Sequence, residues 1–134
     1  MLVNSTGGTT AAGFEFYDLV TMLGANLATF GSGSIGSMSV IIFLAGTKRI
    51  ITPNTSLFLH HTSRVFAKPV TLSLPELQSI TRSTECDNEL YQKIILAKTG
   101  EKLSAEQLKQ MMLEQRTLSA EEIVKSGPEL ARPD

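Results

Sequence analysis

A serine and a histidine are the residues whose positions in this sequence best suit catalysis. Ser37 lies in the segment GSIGSMS, residues 33–39, between a predicted strand and a predicted helix. That position would expose its hydroxyl at a helix start, where free backbone N–H groups and the helix dipole stabilise an oxyanion. A serine hydroxyl is a weak nucleophile without a base, and the only histidines are His60 and His61, at the end of a later strand. If neighbouring strands bring Ser37 and His60 to one edge of a sheet, a catalytic dyad can form.

The same residues also have ordinary structural interpretations. A serine in a turn before a helix usually caps that helix, and a histidine at a strand end is more often a surface or hydrogen-bonded residue than a base. The Gly7-Gly8 turn could supply a second oxyanion donor from its backbone, although such a pair is usually only a turn. The local pattern alone leaves both interpretations open.

Strands and helices alternate along the chain, which predicts an α/β fold. Strands are expected at residues 1–4, 27–30, 49–52 and 56–60, and helices at 11–23, 36–45 and 74–98. Two further helices are expected to begin with capping boxes, at Ser104 and Ser119. Glycine-rich turns are predicted at 5–10 and 31–34, and residues 61–71 are expected to be irregular.

The composition of this 134-residue chain argues against several classes of protein. Its 12 basic and 13 acidic residues nearly cancel, so no nucleic-acid-binding surface is indicated. The longest apolar run, residues 40–45, is too short to cross a membrane, and polar residues directly after residue 3 argue against a signal peptide. The single cysteine, Cys86, excludes an internal disulfide and gives no basis for a metal cluster. A cytoplasmic protein is the default expectation.

The order of the motifs resembles the ClpP family, the proteolytic subunits of the ATP-dependent Clp protease. That family reads Asn-Ser-Pro-Gly-Gly, a helix with Tyr-Asp, Gly-x-Ala-Ala-Ser-Met-Gly-Ala, Pro-Asn-Ser, Ile-His-Gln-Pro, a long helix, Thr-Gly and Ser-Ala-x-Glu-Ala. The corresponding segments here are NSTGG at 4–8, YD at 17–18, GSIGSM at 33–38, PNT at 53–55, LHH at 59–61, TG at 99–100 and LSAEE at 118–122. The match has no gap between Asn4 and Met38, and the resemblance covers roughly residues 2 to 127.

Carried over position by position, the resemblance implies a catalytic machinery. Ser37 matches the family's nucleophile and His60 its general base. The backbone N–H groups of Gly8 and Met38 match its oxyanion hole. His61 falls where the family usually has glutamine and receives no catalytic role.

The third member of the implied triad departs from the family. Counting back from residues 118–120, the family's aspartate falls on Gln115. Glutamine can orient an imidazole by a hydrogen bond but cannot stabilise imidazolium with a charge. The adjacent Glu114 is the alternative third member, although a solvated carboxylate at a helix end is its simpler interpretation.

The resemblance implies a ClpP/crotonase-like α/β spiral of β-β-α units with a long handle helix. It implies one peptidase domain over residues 1–127, followed by a loose tail over 128–134. The implied activity is that of a serine endopeptidase that cleaves unfolded polypeptides or short peptides, at a rate lowered by Gln115. A catalytically impaired ClpP-like structural subunit is the alternative. A crotonase-type acyl-CoA enzyme ranks last, because the Ser-Met pair and the strand-end histidine do not belong to that chemistry.

The resemblance also implies partners. The family forms two stacked seven-membered rings fed by an ATP-driven unfoldase, so a homo-oligomer, co-assembly with another ClpP subunit and an AAA+ unfoldase partner are expected. Neither nucleic acid nor membrane is expected as a partner. The sequence has no Gly-x-x-x-x-Gly-Lys-Ser/Thr loop, so no cofactor is expected in this chain and ATP would act only through the unfoldase. The family's stretch before the first motif is expected to be missing, which would leave an exposed strand edge.

Overall fold

The structure is a computed structural model that describes residues 1–127; residues 128–134, where the loose tail is predicted, lie outside the described part. The elements follow in the order β1 (Leu2–Ser5), α1 (Thr10–Met22), β2 (Ala28–Gly36), α2 (Ser39–Leu44), β3 (Lys48–Ile51), β4 (Ser56–Phe58), α3 (Leu74–Thr99), a 3-10 turn (Gly100–Lys102), α4 (Ala105–Leu113), β5 (Thr117–Ser119) and α5 (Ala120–Ser126). This is the α/β alternation that the sequence predicts, with β5 as an additional strand.

The strands of the described chain form one mixed sheet with β2 at its centre. β1, β3 and β4 all pair with β2 in parallel, β3 along its first half and β4 along its last residues. β5 pairs antiparallel with β4, which places Leu57 opposite Leu118. Gly36 at the end of β2 is the partner of Phe58 at the end of β4. The segments that carry Ser37 and His60 therefore leave the sheet at the same edge.

The turn predicted at residues 31–34 is wrong, because β2 continues through it to Gly36. Gly33 allows this by taking a φ of +76°, which a residue with a Cβ rarely adopts. The pairing with β1 shifts register here, as in a β-bulge, and the Asn4 side-chain oxygen accepts a hydrogen bond from the Ser34 N–H at 3.2 Å. The helix predicted from residue 36 accordingly begins later, at Ser39.

The core is built around α2, whose sequence SVIIFL is apolar at every position after the first. Four of its apolar side chains are at most 2% exposed: Val40, Ile41, Phe43 and Leu44. α1, α3 and β2 pack around it. A helix that is apolar on all sides must be buried to be stable. The rigid packing of α2 therefore fixes the turn just before its start, where Ser37 lies.

The long helix predicted at residues 74–98 is present as α3, which has 26 residues. It begins with a capping box, in which the Ser73 N–H donates to the Glu76 carboxylate at 2.7 Å. Its buried residues all lie in its C-terminal part: Tyr91, Ile95 and Thr99. No helix within residues 1–127 is long and apolar enough to span a membrane.

Candidate active site

Ser37 lies in a strained turn between β2 and α2. Its φ of +53° falls in the left-handed region, which costs a non-glycine residue on the order of 1–3 kcal/mol. Its N–H donates to the Phe58 carbonyl at 2.9 Å, and its carbonyl accepts from the Val40 N–H at 3.0 Å and the Tyr91 hydroxyl at 3.0 Å. Backbone strain that is held by several contacts is typical of functional turns.

The Gly-Gly turn after β1 packs directly against this serine turn. Gly7 has a φ of +116°, and a Cβ built on it would lie 2.7 Å from the Ser37 Cβ and 2.9 Å from the Gly36 carbonyl oxygen. Only glycine allows so close an approach. The buried Ser39 hydroxyl joins the two turns, because it lies 2.8 Å from the Ser5 carbonyl oxygen and 2.7 Å from that of Gly36.

A cleft of about 440 Å³ brings the candidate residues together. Ser37, His60, Gly8 and Met38 all line it, and the first two are half-buried. The N–H groups of Gly8 and Met38 donate to no acceptor within residues 1–127, so they are available to a ligand. In the same part of the chain, no hydrogen bond joins the Ser37 hydroxyl to His60. Catalytic hydrogen bonds are often long in an empty site and tighten when substrate binds.

The imidazole of His60 is positioned by the strand before it. Phe58 lies two residues earlier, on the same face of the strand, and its ring stacks on the imidazole with centroids 5.1 Å apart. The Leu59 N–H donates to the Arg116 carbonyl at 3.0 Å, which continues the pairing of β4 and β5 by one step. The paired residues end at Phe58 and Thr117, and the Gln115 N–H turns back to donate to the Met112 carbonyl at 3.3 Å.

Neither candidate for the third triad position makes a hydrogen bond to His60 in the described chain. Gln115 is exposed and has a φ of +51°. Glu114 is also exposed, and its carboxylate accepts a hydrogen bond from the Gln110 side chain at 2.7 Å. His61, to which the sequence assigns no role, is half-buried, and its Nε2 has no hydrogen-bond partner within residues 1–127.

Tyr91 also lines the cleft, and the sequence interpretation does not include it. It is only 3% exposed, and burial raises the pKa of its phenol far above the ordinary value. The hydroxyl therefore stays protonated at neutral pH and donates to the Ser37 carbonyl. The spacing of Tyr91, Ile95 and Thr99, four residues apart, is the sequence signal that could have identified this buried face of α3.

The outer wall of the cleft is a polar cluster that the sequence pattern also does not reveal. The Arg64 guanidinium holds the loop after His60 against α3 by donating to the hydroxyls of Thr84 and Ser83 at 3.0 Å and to Asp87 at 2.9 Å. The Thr10 hydroxyl donates to the same Asp87 oxygen at 2.9 Å. This cluster joins α1, α3 and the loop. No group of three or more His, Cys, Asp or Glu residues in the described part of the chain is placed to hold a metal ion.

The fold defines the class of protein to which this chain is similar. A solved structure of a ClpP1 mutant from Listeria monocytogenes superposes with a TM-score of 0.76, covering 94% of this chain and 67% of that one at 24% sequence identity. This confirms the predicted ClpP-like α/β fold with its long helix. The model of the Clp protease family matches residues 1–128. The chain therefore belongs to the Clp protease family, as the order of its motifs predicts.

Curated proteins similar to this chain are named as proteolytic subunits of the ATP-dependent Clp protease. The ATP-dependent Clp protease proteolytic subunit 1 of Leifsonia xyli is 39% identical over 62 residues, which cover 45% of this chain and 32% of that protein. The proteolytic subunit 2 of Chlamydia trachomatis serovar D is 28% identical over 105 residues, which cover 71% of this chain and 52% of that protein. The matched segments thus span about a third of the first relative and about half of the second.

Proposed function

We propose that this chain is a serine-type endopeptidase subunit of a Clp-like protease, with Ser37 as nucleophile and His60 as general base. One observation carries the proposal. A single cleft is lined by both side chains and by the two turns whose free N–H groups belong to Gly8 and Met38. The strained backbone of Ser37 supports it further, since strained residues cluster at active sites.

In the proposed reaction the Ser37 hydroxyl attacks the carbonyl carbon of a peptide bond, and its proton passes to His60. The carbonyl oxygen becomes an oxyanion that accepts hydrogen bonds from Gly8 and Met38, and one such donor is typically worth about 3–4 kcal/mol. His60 then gives the proton to the leaving amine, so that the C–N bond breaks and an ester on Ser37 remains. Water hydrolyses this ester by the same proton path.

Gln115 is proposed to orient His60, because it falls at the position of the family's aspartate and directly precedes Arg116, whose carbonyl accepts from the Leu59 N–H. An amide can accept or donate a hydrogen bond, but it gives the imidazolium no opposite charge. In the best-studied triad, replacing the aspartate with its amide lowers the rate by about 10⁴-fold. We therefore expect a weak peptidase. Glu114 would serve as the third member only if the backbone shifted and its contact with Gln110 broke.

The test is covalent labelling by a fluorophosphonate probe, followed by peptide mapping. The label should be found on Ser37, and both Ser37→Ala and His60→Ala should abolish it. Ser34→Ala is the matched control, because Ser34 lies in β2 and does not line the cleft. Failure to label the folded protein, or a label that persists in Ser37→Ala, would refute the proposed nucleophile.

A non-catalytic ClpP-like structural subunit is the second candidate. It is favoured by the lack of any carboxylate hydrogen-bonded to His60 within the described residues. This function predicts a folded protein that the probe does not label and that nevertheless assembles with an active ClpP subunit. Labelling of the chain alone and in the mixture separates the two candidates.

The substrates and partners are proposed from the family. We expect unfolded polypeptides or short peptides as substrates, a cytoplasmic location, and ATP use only through a partner AAA+ unfoldase. A homo-oligomer or co-assembly with another ClpP subunit is supported by the leucines that α3 leaves exposed: Leu74, Leu77 and Leu90. Light scattering at micromolar concentration tests this. A stable monomer that also fails to bind a ClpP subunit would contradict it.

A further inference from the structure

The carbonyl of Ser37 and the N–H of Met38 belong to the same peptide group. The two bonds of a planar trans peptide point in opposite directions, so a contact that fixes the carbonyl also directs the N–H. The Ser37 carbonyl accepts two hydrogen bonds, from the Val40 N–H and from the Tyr91 hydroxyl, each at 3.0 Å. Both bonds lie on the side of the peptide opposite the proposed oxyanion donor.

We propose that Tyr91 is a positioning residue for peptide hydrolysis: by holding the Ser37 carbonyl, it directs the Met38 N–H toward the oxyanion. The inference rests on the proposed function of Ser37 and adds a residue from a distant helix, 54 positions along the chain. The role assigned to Tyr91 is exerted through this one peptide group and not through the reacting atoms.

Three features support this role. The phenol is buried by the packing of α3, which restricts where its hydroxyl can lie. A hydrogen bond accepted by a carbonyl polarises its peptide group and strengthens the N–H on the other side as a donor, by about 10–30%. The φ of +53° at Ser37 means that the turn needs restraint, and Tyr91 is the side chain that supplies it from α3.

Tyr91→Phe tests the role, because it removes the hydroxyl and keeps the ring in the core. One hydrogen bond to a neutral acceptor corresponds to a change of about 3- to 10-fold in an equilibrium or rate. We expect kcat for a short peptide and the rate constant of fluorophosphonate labelling to fall by about that factor. KM should stay within about twofold, because the oxyanion forms only in the transition state.

Tyr17→Phe is the matched control, since the sequence has two tyrosines and Tyr17 lies on α1 outside the cleft. The Lys98 ammonium lies 5.5 Å from the centre of its ring, and phenylalanine keeps that ring. Hydrogen exchange of the Ser37 amide, which donates to Phe58, gives a readout that needs no turnover. We expect faster exchange in Tyr91→Phe and no change in Tyr17→Phe.

The outcomes separate this proposal from the one on which it rests. Wild-type protein labelled on Ser37, with slower labelling, lower kcat and unchanged KM in Tyr91→Phe, would support the positioning role. Wild-type rates in Tyr91→Phe would overturn it and leave Ser37 as the nucleophile. A fall in activity that is matched by a rise in KM and a lower melting temperature would also overturn it, since it indicates only a structural role. Wild-type protein that the probe does not label would refute both.

Discussion

Replacing Gly7 with alanine tests how closely the Gly-Gly turn must approach the proposed nucleophile. The new Cβ would lie 2.7 Å from the Ser37 Cβ and 3.2 Å from the Met38 nitrogen, with φ at +116°. The backbone strain costs on the order of 1–3 kcal/mol, and the overpacking adds about 1–3 kcal/mol. We therefore expect Gly7→Ala to lower the free energy of unfolding by about 2–6 kcal/mol, a large part of the 5–15 kcal/mol typical of a domain.

Gly24→Ala is the matched control for the backbone strain alone. Gly24 also has a positive φ, +58°, but a Cβ there would meet no atom of the described residues within 4 Å. Its expected cost is about 1–2 kcal/mol. Urea unfolding of both variants, with fluorophosphonate labelling at a temperature where each is folded, separates the two effects. Equal losses of stability, or undiminished labelling of Ser37 in Gly7→Ala, would refute the reasoning about close contact.

Three further predictions concern the cleft and the helix starts. Gln115→Asp should raise the peptidase rate, because a carboxylate next to His60 would stabilise its imidazolium form. A lower rate in Gln115→Asp, together with a loss of activity in Glu114→Gln, would instead make Glu114 the third member of the triad. Arg64→Lys should lower the unfolding free energy by about 1 kcal/mol and raise KM, because lysine cannot bond to Ser83, Thr84 and Asp87 at once. Arg82 is exposed, so the control variant Arg82→Lys should change neither the unfolding free energy nor KM. Hydrogen bonds from Ser73 lower the pKa of Glu76 below its ordinary 4.5. The ionised Glu76 therefore stabilises the start of α3 fully above about pH 5, and this contribution is lost as the pH falls through the lowered pKa. Glu76→Gln keeps an uncharged capping box, and acid titration followed by circular dichroism should show a smaller loss of helix in it than in wild type.

The strong periodic elements and the family could be predicted from the sequence. The apolar run of α2 and the long amphipathic pattern of α3 each point to one structure, and the shared order of the motifs from Asn4 to Met38 identifies the family. The sequence leaves the placement of Ser37 and His60 at one edge conditional on their strands being neighbours, and the parallel pairing of β2 and β4, which ends at Gly36 and Phe58, meets that condition.

Other parts depend on contacts between residues that are distant in sequence. The segment 31–34 looks like a turn locally, yet pairing with neighbouring strands makes it a bulged strand. β5 has only three residues and exists because β4 offers it an edge. The hydrogen bond from Tyr91 to Ser37 joins residues 54 positions apart, and no local pattern encodes which carbonyl a buried phenol reaches. The hydrogen bond from Leu59 to Arg116 brings the segments of His60 and Gln115 together, whereas a contact between those two side chains stays a prediction.

The uneven burial of α3 has a consequence for amide hydrogen exchange along this helix. Its buried residues begin only at Tyr91, and its contacts with Arg64 begin only at Ser83. The first turns therefore depend on their own helix propensity, and an isolated helix shorter than about 12–15 residues is marginal in water. In a single subunit, protection should therefore rise from slight near residue 77 to strong near residue 95. A partner that covers Leu74 and Leu77 would remove this gradient, so that exchange along one helix reports assembly without any measurement of particle mass.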